Sequence, residues 1–183
     1  MKLKIFLLAC IIMTSGVTFG QDKPETAGKI MDDACKIAAK DGKSVMIVFH
    51  ASWCGWCKKF EASVKDPSCS DFFDKHFVIR YLDILERGDK KSLENPGAEE
   101  LFNKNGGQNG GVPYFLIFDK KRVLIGNSKM KLAGEPADKP AQNMGCPASE
   151  EEVTAFIQIL SKVTKVSEAE KTAITERFKK NKS

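Results

Sequence analysis

Apolar positions along this chain recur in two rhythms. Between Thr26 and Lys40, Ile30, Ala34, Ile37 and Ala38 fall at i, i+4, i+7 and i+8, one apolar stripe of a helix. Asp41-Gly42-Lys43 ends it. Val45-Met46-Ile47-Val48-Phe49 is unbroken and rich in β-branched residues, which predicts a central strand buried on both faces. A helical pattern resumes near Cys54 and runs to about Lys65, with Phe60 and Val64 inward and Asp66-Pro67 as its stop. Ser68 to Lys75 adds a further helical turn or two, and Phe77 to Asp83 is a second strand.

Glu86 to Gly97 is polar and broken by Gly88, Pro96 and Gly97, so it is expected to be an exposed loop or insertion. Ala98 to Asn103 is a short helix burying Leu101 and Phe102, followed by a glycine-rich stretch from Asn105 to Gly111. Tyr114 to Phe118, a turn at Asp119-Lys120-Lys121, and Arg122 to Ile125 form a hairpin. Asn127 to Pro147, with Gly134, Pro136 and Pro140, is a second long loop. Ser149-x-x-Glu152 is a capping box that opens a helix with Val153, Phe156, Ile157, Leu160 and Val163 on one face. Ser167-x-x-Glu170 is another, starting a terminal helix with Ile174 and Phe178, either docked or frayed.

Strands alternating with helices and then a hairpin imply an α/β fold, a mixed sheet with helices on both faces. The first crossover is expected to be parallel and right-handed. No internal repeat or low-complexity segment interrupts this order.

Composition adds a compartment. Lys2 and Lys4 precede an apolar run from Ile5 to Met13, too short to span a bilayer. Thr14 to Gly20 is small and polar, so residues 1–20 read as a signal peptide cleaved before Gln21. No stable membrane insertion is expected after cleavage. The formal charge of +5 drops by two with Lys2 and Lys4, too mild a balance to argue for nucleic acid. The six cysteines become five without Cys10, an odd number, so at least one is free when the others pair. Cys35 and Cys69 are open to a structural bridge or to burial as thiols.

The chemistry concentrates at Cys54-Gly55-Trp56-Cys57, between a strand and a helix. Two intervening residues let both sulfurs sit in the first helical turn and close a small, reopenable disulfide. The first sulfur meets the positive end of the helix and its unpaired N–H groups. Such a site lowers a thiol pKa from about 8.5 toward roughly 3.5–7.5. Half of a zinc site has the same spacing, but a zinc site needs a second pair or histidines at ligand spacing. Cys35, Cys69 and Cys146 are scattered singly, and His50 and His76 are not so spaced. The strand and helix around the pair favour redox chemistry.

Trp53-Cys54-Gly55-Trp56-Cys57-Lys58, with Gly111-Val112-Pro113 entering a strand far downstream, resembles the thioredoxin-like family. The likeness covers roughly residues 26–165, and Ala51 to Glu61 looks most like the exported branch that includes the periplasmic domain of DsbD-type disulfide reductases. The resemblance implies a leader at 21–25, a thioredoxin-like domain at 26–165 with two loop insertions, and an extra C-terminal helix or tail at 166–183. It implies Cys54 as the attacking thiolate and Cys57 as the more buried, resolving thiol. It implies Pro113 as a cis-proline that turns the Val112 backbone toward an extended substrate segment. Trp53 and Trp56 would flank the site. The family often buries an acid six residues before the first cysteine, where this chain has Val48. His50 and Glu61 are the nearby candidates for proton transfer.

The expected function is an exported thiol–disulfide oxidoreductase that reduces or isomerises disulfides of protein substrates. It would be a monomer, with no cofactor beyond the Cys54–Cys57 disulfide, no metal, and an electron partner that the sequence does not name. One alternative is a module of the same fold that holds a soft metal such as Cu(I) on the pair. Another is an adaptor whose disulfide is only structural. Trp56 between the cysteines and Tyr114 after Pro113 leave the redox potential open across the family's range of about −270 to −120 mV.

Overall fold

A computed structural model describes residues 23–132 and 134–182. The expected signal peptide and the start of the leader lie outside the described residues. A four-stranded sheet in the order β2-β1-β3-β4 forms the centre, built from β1 (Ser44–His50), β2 (Phe77–Asp83), β3 (Tyr114–Phe118) and β4 (Leu124–Asn127). β1 pairs with β2 in parallel and with β3 antiparallel, and β3 pairs antiparallel with β4. The mixed sheet and the parallel first crossover match the expected architecture.

Alternation along β1 and β3 divides the core. Met46, Val48, Phe115 and Ile117 face one side, where they meet α2 (Gly55–Val64), α3 (Ser70–His76), α5 (Glu150–Val163) and α6 (Glu168–Lys179). Val45, Ile47, Phe49, Tyr114, Leu116 and Phe118 face the other, under α1 (Ala27–Asp41) and α4 (Ala98–Lys104). Phe60, Phe73, Phe115, Phe156 and Phe178 cluster on the first side, with Phe156 5.0 Å from Phe178 and 5.6 Å from Phe115 between ring centroids. Ring pairs of this kind contribute about 0.5–1.5 kcal/mol beyond the area they bury. Phe178 and Ile174 are fully buried, so the terminal helix is docked rather than frayed. Both capping boxes form, with Ser149 and Ser167 accepting from the N–H groups of Glu152 and Glu170.

Four expectations need correction. In α1 the buried stripe is Ala27, Met31, Ala34, Cys35 and Ala38, while Ile37 is exposed. Small residues let the helix lie close on the sheet, and the face is turned by about one position from the one the isoleucines suggested. The hairpin's second strand starts at Leu124, because Asp119 Oδ1 accepts from the N–H groups of Lys121 and Val123 and prolongs the turn. The loop after β2 is not wholly exposed, since Ile84 and Glu86 are buried before a 3₁₀ turn over Gly88–Leu93. The second long loop carries a two-stranded ribbon, β5 (Lys129–Met130) with β6 (Gln142–Asn143).

Cys35 and Cys69 do not bridge. They lie in the two cores on opposite sides of the sheet, and both are free and buried, as is Cys146.

Candidate active site

The site lies where β1 ends and α2 begins. His50 closes the strand, Ala51, Ser52 and Trp53 turn the chain, and Cys54 is the N-cap of α2 in an extended conformation. Its sulfur accepts a hydrogen bond from the Cys57 N–H at 3.0 Å, taking the place that a serine or aspartate oxygen takes in other caps. Gly55 and Trp56 therefore occupy the first two helical positions and Cys57 the third. Cys54 and Cys57 form a disulfide, with an S–S distance of 2.06 Å and Cα atoms 5.3 Å apart.

The chain does not bury Cys57 more deeply than Cys54. The two are 5% and 4% exposed, because Cys54 is covered by Ala51 and by Val112 from across the site. Their helical positions distinguish them instead: only the Cys54 sulfur sits outside the helix, against its first N–H groups.

The Val112–Pro113 peptide bond is cis. The Val112 carbonyl oxygen is 3.5 Å from the Cys54 sulfur, so backbone from the glycine-rich loop lies directly against the reactive atom. Trp53 and Trp56 are 44% and 49% exposed and flank the pair. The Trp53 indole N–H donates to the Leu85 carbonyl at 2.8 Å, and the Arg87 guanidinium lies 4.1 Å from the ring centre. Lys59 Nζ stands 4.8 Å from the centre of the Trp56 ring and donates to the Asn181 carbonyl. A cleft of about 210 Å³ beside Trp56 is walled by Pro113, Asn143, Met144 and Cys146.

Each of the two residues proposed for proton transfer has a side-chain partner of its own. His50 Nε2 is 3.2 Å from Asp83 Oδ1 and its ring lies against Tyr81. Glu61 pairs with Lys65 one turn along α2, at 2.6 Å. Val48 sits in the aromatic core, 1% exposed.

Sequence reasoning passed over two carboxyl groups at the site. Asp83 lies opposite His50 in the parallel register of β1 and β2. Burial pushes its carboxyl up, His50 draws it down, and Glu86 pushes it up again, for a net rise. Glu86, 3% exposed, accepts from both the N–H and the hydroxyl of Ser52, two residues before Cys54. Burial alone would raise its pKa, but these bonds, with Lys90 and His50 nearby, hold it below the ordinary glutamate value. The β1–β2 register was the signal for Asp83. Glu86 had none, since it lies in a polar stretch without periodicity.

The disposition of these groups suits one chemistry: two sulfurs that open and close a bond, backbone amides that favour negative charge on the first, and apolar rings around them. Among the described residues, no three His, Cys, Asp or Glu side chains are arranged to hold a metal ion, and no helix is long and apolar enough to cross a membrane.

A family model described as thioredoxin-like matches residues 27–120. The protein disulfide-isomerase of Hordeum vulgare is 27% identical over 73 residues, which are 40% of this chain and 14% of that protein. The chain thus matches about a seventh of that relative's length. Among solved structures, the disulphide isomerase from Xylella fastidiosa is 17% identical with a TM-score of 0.49, covering 91% of this chain and 99% of that one. The C-terminal domain of DsbD from Neisseria meningitidis, in the oxidised form, is 20% identical with a TM-score of 0.38, covering 55% and 81%.

Proposed function

The chain belongs to the thioredoxin-like family, and from that premise we propose that it reduces or isomerises disulfides of protein substrates through the Cys54–Cys57 couple. The observation that carries this reading is the hydrogen bond from the Cys57 N–H to the Cys54 sulfur at the start of α2. Once the disulfide is reduced, that N–H and the helix dipole favour a thiolate at Cys54 over a neutral thiol.

The Cys54 thiolate attacks one sulfur of a substrate disulfide. A Cys54–substrate S–S bond forms, the substrate's own S–S bond breaks, and the departing sulfur takes up a proton. Cys57 then gives its proton to solvent and attacks the Cys54 sulfur. The mixed disulfide breaks, the second substrate thiol leaves, and the protein holds the Cys54–Cys57 bond. Two electrons have passed to the substrate, and a dithiol donor must return them. The Val112 backbone would pair with an extended segment beside the substrate cysteine, as a strand adds to a sheet edge. Trp53 and Trp56 would supply apolar contact.

Insulin reduction tests the scheme. Cys54→Ser abolishes turnover, and Cys57→Ser accumulates mixed disulfides with substrate; full activity in Cys54→Ser would falsify it. We place the protein outside the cytoplasm, on the strength of the basic, apolar and small segments at residues 1–20. The mass of the mature protein then starts at Gln21, and a retained Met1 in the exported form would refute the placement.

A further inference from the structure

The segment between β4 and α5 does more than connect them. It is fastened through Ser128 to Phe115 of β3 and through Asn143 to Pro113, just before that strand. Ser128, fully buried, exchanges backbone bonds with its surroundings: its N–H donates to the Phe115 carbonyl, and its own carbonyl accepts from the Met144 N–H. Its hydroxyl accepts from the Phe115 N–H at 3.1 Å. Across the ribbon, Lys129 pairs with Asn143.

Asn143 reaches from this ribbon to the loop before β3. Its Nδ2 lies 2.8 Å from the Gly110 carbonyl oxygen, 3.2 Å from that of Gly111 and 2.9 Å from that of Pro113. Its Oδ1 accepts from the Gly145 N–H at 3.1 Å. The orientation of the amide is therefore set by its partners, since a flipped group would aim an oxygen at three carbonyls. One side chain gathers the backbone on both sides of Val112. The close fit extends to Gly110, where an added Cβ would stand 3.0 Å from the Asn143 Cβ and 3.3 Å from the Gly107 carbonyl oxygen. Gly111, at φ 65, takes a left-handed conformation that lets the chain double back to reach the amide.

We infer that Asn143 is a positioning residue for substrate binding, holding the Val112–Pro113 segment in the conformation that pairs with an extended polypeptide beside Cys54. The inference rests on the proposed reduction of protein disulfides and deepens it. Asn143 makes none of these bonds to a sulfur, and the Cys57 N–H that favours the Cys54 thiolate comes from α2 and does not depend on it. What its loss disturbs is the backbone surface that a polypeptide needs and a small disulfide does not. The ribbon thereby belongs to the substrate side of the site.

Asn143→Ala separates the two. With insulin as substrate, KM rises at least fivefold while kcat stays within twofold of the unaltered protein. The rate with a small aromatic disulfide, dithiobis(nitrobenzoate), stays within twofold, which also shows that the variant is folded. Asn143→Asp keeps the side-chain shape but replaces the donor with a second acceptor facing three carbonyls; it raises the insulin KM at least as much. An insulin KM within twofold in both variants overturns the inference, as does a parallel loss on both disulfides. If the unaltered protein reduces neither disulfide, the redox reading itself has failed, and the assignment of Asn143 falls with it.

Discussion

Glu86→Ala probes a buried carboxylate that supports the redox turn. In the folded chain it receives the N–H and the hydroxyl of Ser52, the latter at 2.8 Å, while its own N–H donates to Glu94 at 2.7 Å. Hydrogen bonds to a charged group contribute about 1.5–3 kcal/mol each, so the pair is worth about 3–6 kcal/mol before solvent refills the space. Water and Lys90, whose Nζ already lies 3.3 Å from the Ser52 hydroxyl, recover part of that. The expected loss at pH 7 is about 3 kcal/mol, or about 1.5 M in the urea midpoint for a slope of about 2 kcal/mol/M. The carboxyl is held below its ordinary value in the folded state, burial notwithstanding, by the Ser52 donors and nearby cations. Its contribution is therefore present above the unfolded value of about 4.3 and is lost as pH falls through the lower folded value. The gap between the two proteins is widest near neutrality and closes in acid. Glu86→Gln keeps an acceptor for the Ser52 N–H, costs about 1–2 kcal/mol, and lacks the titrating group. Urea unfolding of the oxidised protein from pH 7 down to about pH 3 measures all three. An Ala midpoint within about 0.2 M of the parent at pH 7, or a gap unchanged in acid, would refute the role given to Glu86.

Two further outcomes follow from burial. Phe156→Ala removes the ring that meets Phe60, Phe73, Phe115 and Phe178 at the centre of the larger core. It should cost about 3–5 kcal/mol in denaturant unfolding, and a loss below about 1 kcal/mol would contradict the packing described. In the reduced protein, iodoacetamide at pH 7 should modify Cys54 first, leaving Cys35, Cys69 and Cys146 until the chain unfolds. Exposure does not separate them, since Cys54 is itself 4% exposed; the Cys57 N–H and the helix start favour a thiolate at Cys54, whereas burial pushes the Cys146 thiol up to about 12 and the Cys69 thiol upward as well. Mass spectrometry reads the order, and native-state alkylation of Cys146 as fast as Cys54 would count against it.

Much of the fold could be read in one dimension. β1, the redox helix, β2, α4 and both capped C-terminal helices lie within a residue or two of where their patterns placed them. Each of these is specified by contacts between near neighbours in the chain: a stripe of apolar residues, a capping pair, a proline stop. Errors arose where the deciding partner was remote. In α1 the sheet takes the face centred on Met31, Ala34 and Ala38, so Ile30 packs only at its edge and Ile37 is left outside. The second loop read as irregular because two-residue strands carry no periodicity of their own.

By itself, the order of residues determined the redox pair, since two cysteines at the first turn of a helix need only local geometry to meet. It also determined the element order and, through the unbroken apolar run of β1, a central strand buried on both faces. Only the folded chain decided what surrounds the pair. Glu86 is 34 residues from Ser52 in sequence, and Asn143 is 30 or more from each carbonyl it reaches. Such contacts depend on how two insertions fold back over the sheet, and a polar side chain in a polar loop looks the same whether it faces water or a buried backbone amide.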